Sequence, residues 1–225
     1  MQFDPQKTYA VLTGDIVGSS QLGPAERKAL PDLLRRAAGE LRDFRTAAIP
    51  LDIDIYAGDS WQLLLTDPGL ALRAAVFMRA FLRDRAEELG CELDSRVVVA
   101  LGSIDFVPAN RVSEGDGEAF RLSGRTLQEI APTQRMRFVI AGVPNSPVWD
   151  AVFALIDGII THCWTAMQAR AVSGVSRDWS RSQTATLWPK PISPSAVFAH
   201  LRKACWHAIS QTISQFESTD WSRER

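Results

Sequence analysis

The sequence lacks the marks of a secreted, membrane-spanning or nucleic-acid-coating protein. Its three cysteines, Cys91, Cys163 and Cys205, stand far apart with no CxxC pair. That excludes a disulfide framework and fits reduced thiols in a cytoplasmic protein. No run approaches the ~18 consecutive apolar residues that a membrane-spanning helix needs. The opening MQFDPQKTYAVLTGDIVG has no basic segment leading into an apolar one, so a soluble chain with no membrane partner is expected. Net charge is nearly absent as well, 25 Lys and Arg against 26 Asp and Glu, so any polyanion contact must be local. Of the three histidines, His200 and His207 lie seven apart with no further ligands near them in sequence, which argues against a metal site there. There is no internal repeat and no low-complexity tract.

What is present suits a folded domain. Hydrophobic residues make up 46% of the 225, enough for one core of roughly 140 residues with a smaller appendage. The first apolar run, Tyr9 to Leu12, ends at Thr13, Gly14 and Asp15, as a buried strand does when it delivers an acid to a sheet edge. Between Ala25 and Phe44 the apolar positions Leu30, Leu33, Leu34, Ala37, Leu41 and Phe44 recur at helical spacing. Residues 51–56 (LDIDIY) alternate with period two, Ala57 to Ser60 interrupt them, and residues 61–65 (WQLLL) resume, which predicts a hairpin with Asp59 at its tip. A second helix follows Asp67 and Pro68, with Ala71, Ala74, Ala75, Met78, Phe81 and Leu82 on one face, and Arg96 to Leu101 reads as a fourth strand.

Strand, helix, strand, strand, helix, strand is the ferredoxin-like, split βαβ order of an α+β fold, with helices on one face of an antiparallel sheet. In that topology the first and third strands are neighbours. Asp15 and Asp59 are therefore expected close together although 44 positions separate them. Two carboxylates at strand ends repel unless cations or a shared proton offset the cost, and Mg²⁺ or Mn²⁺ is the default. Residues 16–20 (IVGSS) add backbone amides and small side chains that suit phosphates, with Gly18 permitting close approach.

Beyond a helix over 117–130 and a strand over 137–140, residues 144–147 (PNSP) read as a boundary between a domain of residues 1–143 and a helical module of residues 148–225. The module is read as helices over 149–160, 164–172, 182–188 and 193–216. The last two, split by Pro189 to Pro191, have helix-turn-helix proportions. Arg170, Arg177, Arg181, Lys190, Arg202 and Lys203 give it a modest positive bias without a base-reading set. Trp164, Trp179, Trp188 and Trp206 read as packing residues. Val197, Leu201, Ala204, Ala208, Ile209, Ile213 and Phe216 form one long stripe that must be buried, so a structural role is favoured over DNA binding.

Residues 14–20 (GDIVGSS), with Gly58 and Asp59 on the later hairpin, resemble the paired metal-binding motifs of class III adenylate/guanylate cyclases. Residues 96–102 (RVVVALG) and 117–125 (GEAFRLSGR) resemble that family's Arg-containing strand and its Asn/Arg helix, so the resemblance covers residues 8–141. It implies two Mg²⁺ or Mn²⁺ ions on Asp15, Asp59 and the backbone of Ile16. It implies phosphate contacts around Gly18 and Ser19, and a transition-state cation at Arg125. It further implies a head-to-tail homodimer whose composite sites take their aspartates from one subunit and Arg125 from the other.

Two positions depart from the family pattern. Arg121 replaces the ribose-orienting asparagine, and with Arg125 at i and i+4 it would form a cationic clamp. The base-selecting positions fall on Ile55 and near Glu114, and an apolar residue cannot read a purine edge by hydrogen bonding. The adjacent Tyr56 would narrow the pocket toward a pyrimidine, as in the uridylate and cytidylate cyclases of bacterial anti-phage signalling, which the domain also resembles. The GDIVGS start, the second GD hairpin, and Trp164, Thr165 and Gln168 resemble bacterial SatD-like proteins. Two functions compete on this evidence. One is an enzyme converting a nucleoside triphosphate to a 3',5'-cyclic nucleotide and pyrophosphate. The other is a non-catalytic nucleotide-sensing transcriptional regulator that binds DNA through its C-terminal helices.

Overall fold

Strand β1 (Tyr9–Ile16) is buried along almost its whole length because it lies at the centre of a sheet covered on both faces. The structure, a computed structural model, describes residues 3–109, 111–143 and 147–222. The other strands are β2 (Asp54–Tyr56), β3 (Ser60–Leu65), β4 (Ser95–Gly102) and β5 (Met136–Ile140), in the spatial order β2-β3-β1-β4-β5. All pairs are antiparallel except β4 with β5, which run parallel. The expected neighbours, first and third strands, pair directly from Ala10 opposite Leu65 to Asp15 opposite Ser60.

The period-two alternation divides β1 between two cores. Ala10, Leu12 and Ile16 join the cluster built with α1 (Pro24–Phe44) and α2 (Ala71–Leu89). Tyr9 and Val11 face the other way, onto Ala119 and Phe120 of α3 (Glu118–Glu129). Each fully buried Leu, Val or Phe of these clusters contributes about 1.5–3 kcal/mol. α1 starts on Pro24, whose missing N–H costs nothing in a first turn, and α2 ends on Gly90 in the left-handed region. The fold is thus α+β, with the split βαβ order that the sequence predicts and a fifth strand added at the β4 edge.

The C-terminal segment is helical: α4 (Pro147–Cys163), α5 (Ala166–Val175), α6 (Arg181–Thr184), α7 (Pro194–Lys203) and α8 (Trp206–Glu217). The boundary residues Pro144, Asn145 and Ser146 lie outside the described residues. Phe153, Ile156, Ile160, Trp164, Ile213 and Phe216 belong to the same hydrophobic cluster as Leu12 and Leu34. Phe138 of β5 sits 5.2 Å from Phe153, 5.6 Å from Phe216 and 5.6 Å from Trp221, centroid to centroid. Among the described residues no helix is long and apolar enough to cross a membrane.

Three C-terminal expectations change. Residues 182–188 form only the single turn of α6 followed by a 3-10 turn at Ala185–Leu187. The stripe over 193–216 is not one helix: it breaks at Cys205, which takes a left-handed φ of 55°. A straight helix of that length would run about 36 Å. Two helices can instead lay Val197 and Leu201 beside α5 and α6, and Phe216 against β5 and α4. The Trp164 indole donates to the Ala204 carbonyl at the break (3.0 Å), satisfying a group that the ended helix leaves open. Arg170 and Arg177 are not part of a solvated basic face. Both are buried, Arg170 against Asp84 (2.6 Å) and Arg177 against Glu40. Trp164 and Trp188 are buried packing residues, as the sequence predicts, and Thr165 with Gln168 forms the capping box of α5.

Candidate functional site

The register of the sheet builds the site. Tyr56 lies opposite Ser60, Ser60 opposite Asp15, and Asp15 opposite Arg96, so one row crosses β2, β3, β1 and β4. Residues directly opposite one another project to the same face. That face is the one covered further along by α3, because Thr13, two residues before Asp15, donates to Ser123 of α3 at 2.8 Å. Gln62 donates to Thr13 (3.0 Å) and Ser123 to the Phe120 carbonyl (3.0 Å), which completes a chain fastening α3 behind the row. Gly14 stands where a Cβ would lie 2.5 Å from the Arg96 carbonyl and 2.5 Å from the buried Trp61 ring, so a side chain there would push the β1 end off both neighbours.

Asp59 occupies the last place of the three-residue turn 57–59, one residue from Ser60 and hence from the position facing Asp15. Beyond β1, the Val17 amide donates to the Asp94 carbonyl (3.0 Å) and turns the chain outward. Gly18 follows with φ 69°, a conformation that costs glycine nothing, and starts a 3-10 turn at Ser19–Gln21. The Ser19 hydroxyl donates to the Asp59 carboxylate, so the loop after β1 and the β2-β3 turn are tied together through residues picked out from sequence.

Arg96, to which the sequence motifs assign no role, pairs directly with Asp15. Its Nε donates to Asp15 Oδ1 at 2.8 Å and its Nη2 to Oδ2, a two-point fork on a carboxylate that is 17% exposed. The hydrogen bond to Asp15 holds the Arg96 guanidinium pKa above its ordinary value, and Asp59 adds to the effect. Counting register from Asp15 along the expected β1-β4 pair is the signal that would have found it. The Tyr56 phenol is pushed up by burial first, then by the Asp15 and Asp54 carboxylates, which places it in the same field.

Asp54 was also missed. It shares Tyr56's face of β2 and accepts from the Ser113 amide (3.0 Å) and hydroxyl (2.5 Å), pinning the turn at Val112–Glu114 to the hairpin.

The remaining sequence-predicted residues stand apart from this cluster. Ile16 buries its side chain in the core, leaving only its backbone for the site. Ile55 packs against the cluster under α1 and α2. Glu114 is exposed and pairs with Arg111 at 3.1 Å. Arg121 is held by Asp116 (2.6 Å) and reaches Asp105 (3.6 Å). Arg125 is exposed, has no hydrogen-bond or ion-pair partner among the described residues, and lines an open cleft of about 420 Å³ between α3, β5 and α4.

Comparison with protein-family models and with curated proteins finds no match. Among solved structures the chain is similar to the guanylyl cyclase Cya2, with 21% identity and a TM-score of 0.43 over 61% of this chain and 77% of that one. It is also similar to an adenylate cyclase from Trypanosoma brucei in its monomeric state, with 17% identity and a TM-score of 0.41 over 60% of this chain and 74% of that one.

Proposed function

We propose that this chain is a nucleotidyl cyclase that converts a nucleoside triphosphate to a 3',5'-cyclic nucleotide and pyrophosphate. The observation that carries the reading is the placement of Asp15 and Asp59 on adjoining strand ends, joined through Ser19 to the loop after β1. Their oxygens, with the Ile16 carbonyl, are hard donors of the kind Mg²⁺ and Mn²⁺ take. Among the described residues no group of three or more His, Cys, Asp or Glu could hold a metal. Mg²⁺ sites completed by substrate phosphates need only one or two carboxylates, so the residues fit two ions that arrive with the triphosphate. Bound there, such ions supply Lewis-acid polarisation of the phosphoryl oxygens and a more acidic ribose 3'-hydroxyl.

The chain's own groups have separable tasks. Asp15 and Asp59 orient the triphosphate, and the Gly18 to Ser20 backbone approaches it closely. Arg96 neutralises Asp15 until phosphates compete for its fork, whose donors match phosphate as well as carboxylate. The 3'-hydroxyl loses its proton to solvent and its oxygen bonds to the α-phosphorus as the bond to the β-phosphate oxygen breaks, and charge that grows on the departing pyrophosphate needs a fixed cation. Arg125 suits that role from a second copy of the chain, because its guanidinium is exposed and has no partner among the described residues. Arg121, engaged by Asp116, has the lesser claim. Tyr56, beside Asp15 and Asp54, is our candidate for narrowing the base pocket, and UTP and CTP are the substrates to test first, in line with an anti-phage signalling role.

The test is incubation of purified protein with each of the four ribonucleoside triphosphates and Mn²⁺, with products identified by mass. Turnover should disappear in Asp59→Ala with the circular dichroism spectrum intact; unchanged turnover would sink the metal role. Nucleotide binding without any turnover in the unaltered protein would favour the sensor instead.

A further inference from the structure

A buried cluster of charges joins the C-terminal segment to the back of the site. Arg79 of α2 is fully buried, and Asp94 and Asp157 are each 5% exposed. Arg79 grips Asp94 with Nε and Nη2 (2.8 Å each) and Asp157 of α4 with Nη1 (2.7 Å). Arg83 (2.9 Å) and Arg135 (2.7 Å) also donate to Asp94. The second oxygen of Asp157 accepts from the Arg135 amide at 2.7 Å, while Thr161 bridges Arg79 and Asp157 at 2.9 Å on each side.

The cluster is not needed to dock α4. Phe153, Ile156 and Ile160 already bury the helix in the common core, and replacing a buried ionic group with apolar residues is often neutral or stabilising. What charges add is fixed position. Asp94 immediately precedes β4, and its carboxylate also accepts from the Ser95 amide (2.8 Å). The next link reaches the site directly: the Asp94 carbonyl takes the Val17 amide (3.0 Å), and the Ser95 hydroxyl donates to the Asp15 carbonyl (2.7 Å). The β1 end is therefore held on both sides of Ile16 by residues 94 and 95, and Arg96, one residue on, holds the Asp15 side chain.

We propose that Asp157, in the C-terminal segment, is a positioning residue of the site, acting through Arg79 and Asp94 to fix the strand end that presents Ser95 and Arg96 to Asp15. The proposal rests on the cyclase reading above. It gives α4 a part in setting cation and phosphate geometry that no residue of α4 performs by contact.

The test compares Asp157→Asn with Glu217→Gln in the full chain. Glu217 of α8 makes another charged tie from the C-terminal segment to α2, through Arg73 (2.5 and 3.1 Å), on a part of α2 with no bond to residues 94–96. Both variants should lower the melting temperature. Only Asp157→Asn should raise the half-saturating Mn²⁺ concentration and lower kcat, by roughly 10-fold or more, the usual effect of losing a partner that orients a metal ligand. If Asp157→Asn fails to fold, Thr161→Val removes one bridge and should shift the Mn²⁺ requirement in the same direction. A folded variant with unaltered Mn²⁺ requirement and kcat, or an equal shift in Glu217→Gln, overturns the proposal while leaving the cyclase reading intact. Absence of Mn²⁺-dependent turnover in the unaltered protein rejects both.

Discussion

Acid should unfold this protein partly through one carboxylate. Burial alone would push the pKa of Asp94 up, but Arg79 beside it, helped by Arg83 and Arg135, brings it from 3.8 down to about 2. Asp94 is 5% exposed, so solvent screens these contacts little. That depression corresponds to stability on the order of 2 kcal/mol, at about 1.4 kcal/mol for each tenfold change in acidity. Because the folded-state pKa is the lower one, that stability is present above pH ~4 and is lost as pH falls toward ~2. Urea unfolding followed by circular dichroism, repeated between pH 6 and pH 2, measures it. Asp94→Asn should lose about 3–5 kcal/mol at neutral pH, since it leaves buried arginines short of a carboxylate. Its stability should also fall less steeply than that of the unaltered protein between pH 4 and pH 2, by most of that ~2 kcal/mol. Parallel curves across that window would refute the account of how the cluster is held.

Two further outcomes follow from the placement of Arg125 and of the C-terminal helices. Arg125→Ala should lower kcat by roughly 10² or more with a smaller change in KM, and mixing it with Asp59→Ala should restore part of the activity through one intact composite site; no rescue despite proven subunit exchange would reject the shared site. Truncation after Val143 should give aggregated or inactive protein, because it strips Phe153, Phe216 and Trp221 from Phe138 and removes Asp157 from Arg79. A soluble, active truncated chain, together with salt-sensitive duplex DNA binding by the full chain, would instead favour the regulator.

What could be read from sequence, and what could not, divides by the range of the physics involved. Period-two alternation and helical stripes report burial locally, and the order of elements then limits the sheet to few topologies. That is why the β1-β3 pairing, which sets Asp15 opposite Ser60, was legible although 44 residues separate Asp15 from Asp59. A stripe says only that a face is covered, not by how many partners. The run from Val197 to Phe216 therefore looked continuous, although its two halves cover different neighbours and the chain breaks at Cys205.

Charges are harder still, since an arginine looks the same in solvent and in a core. Arg170 and Arg177 read as a basic bias because their partners, Asp84 and Glu40, lie 86 and 137 positions away. Arg96 escaped assignment for the same reason, being 81 positions from Asp15. For a buried charge the partner is obligatory, because an unpaired ion in the interior costs several kcal/mol. Each arginine on an apolar helix face thus poses a question that the sequence does not answer alone. On α2 the answer for Arg79 comes from both sides of the expected domain boundary, Asp94 before it and Asp157 after it. Its three nitrogens are taken up between them and Thr161. The pairing of Arg79 means that residues on both sides of that boundary must be present for its charge to be satisfied.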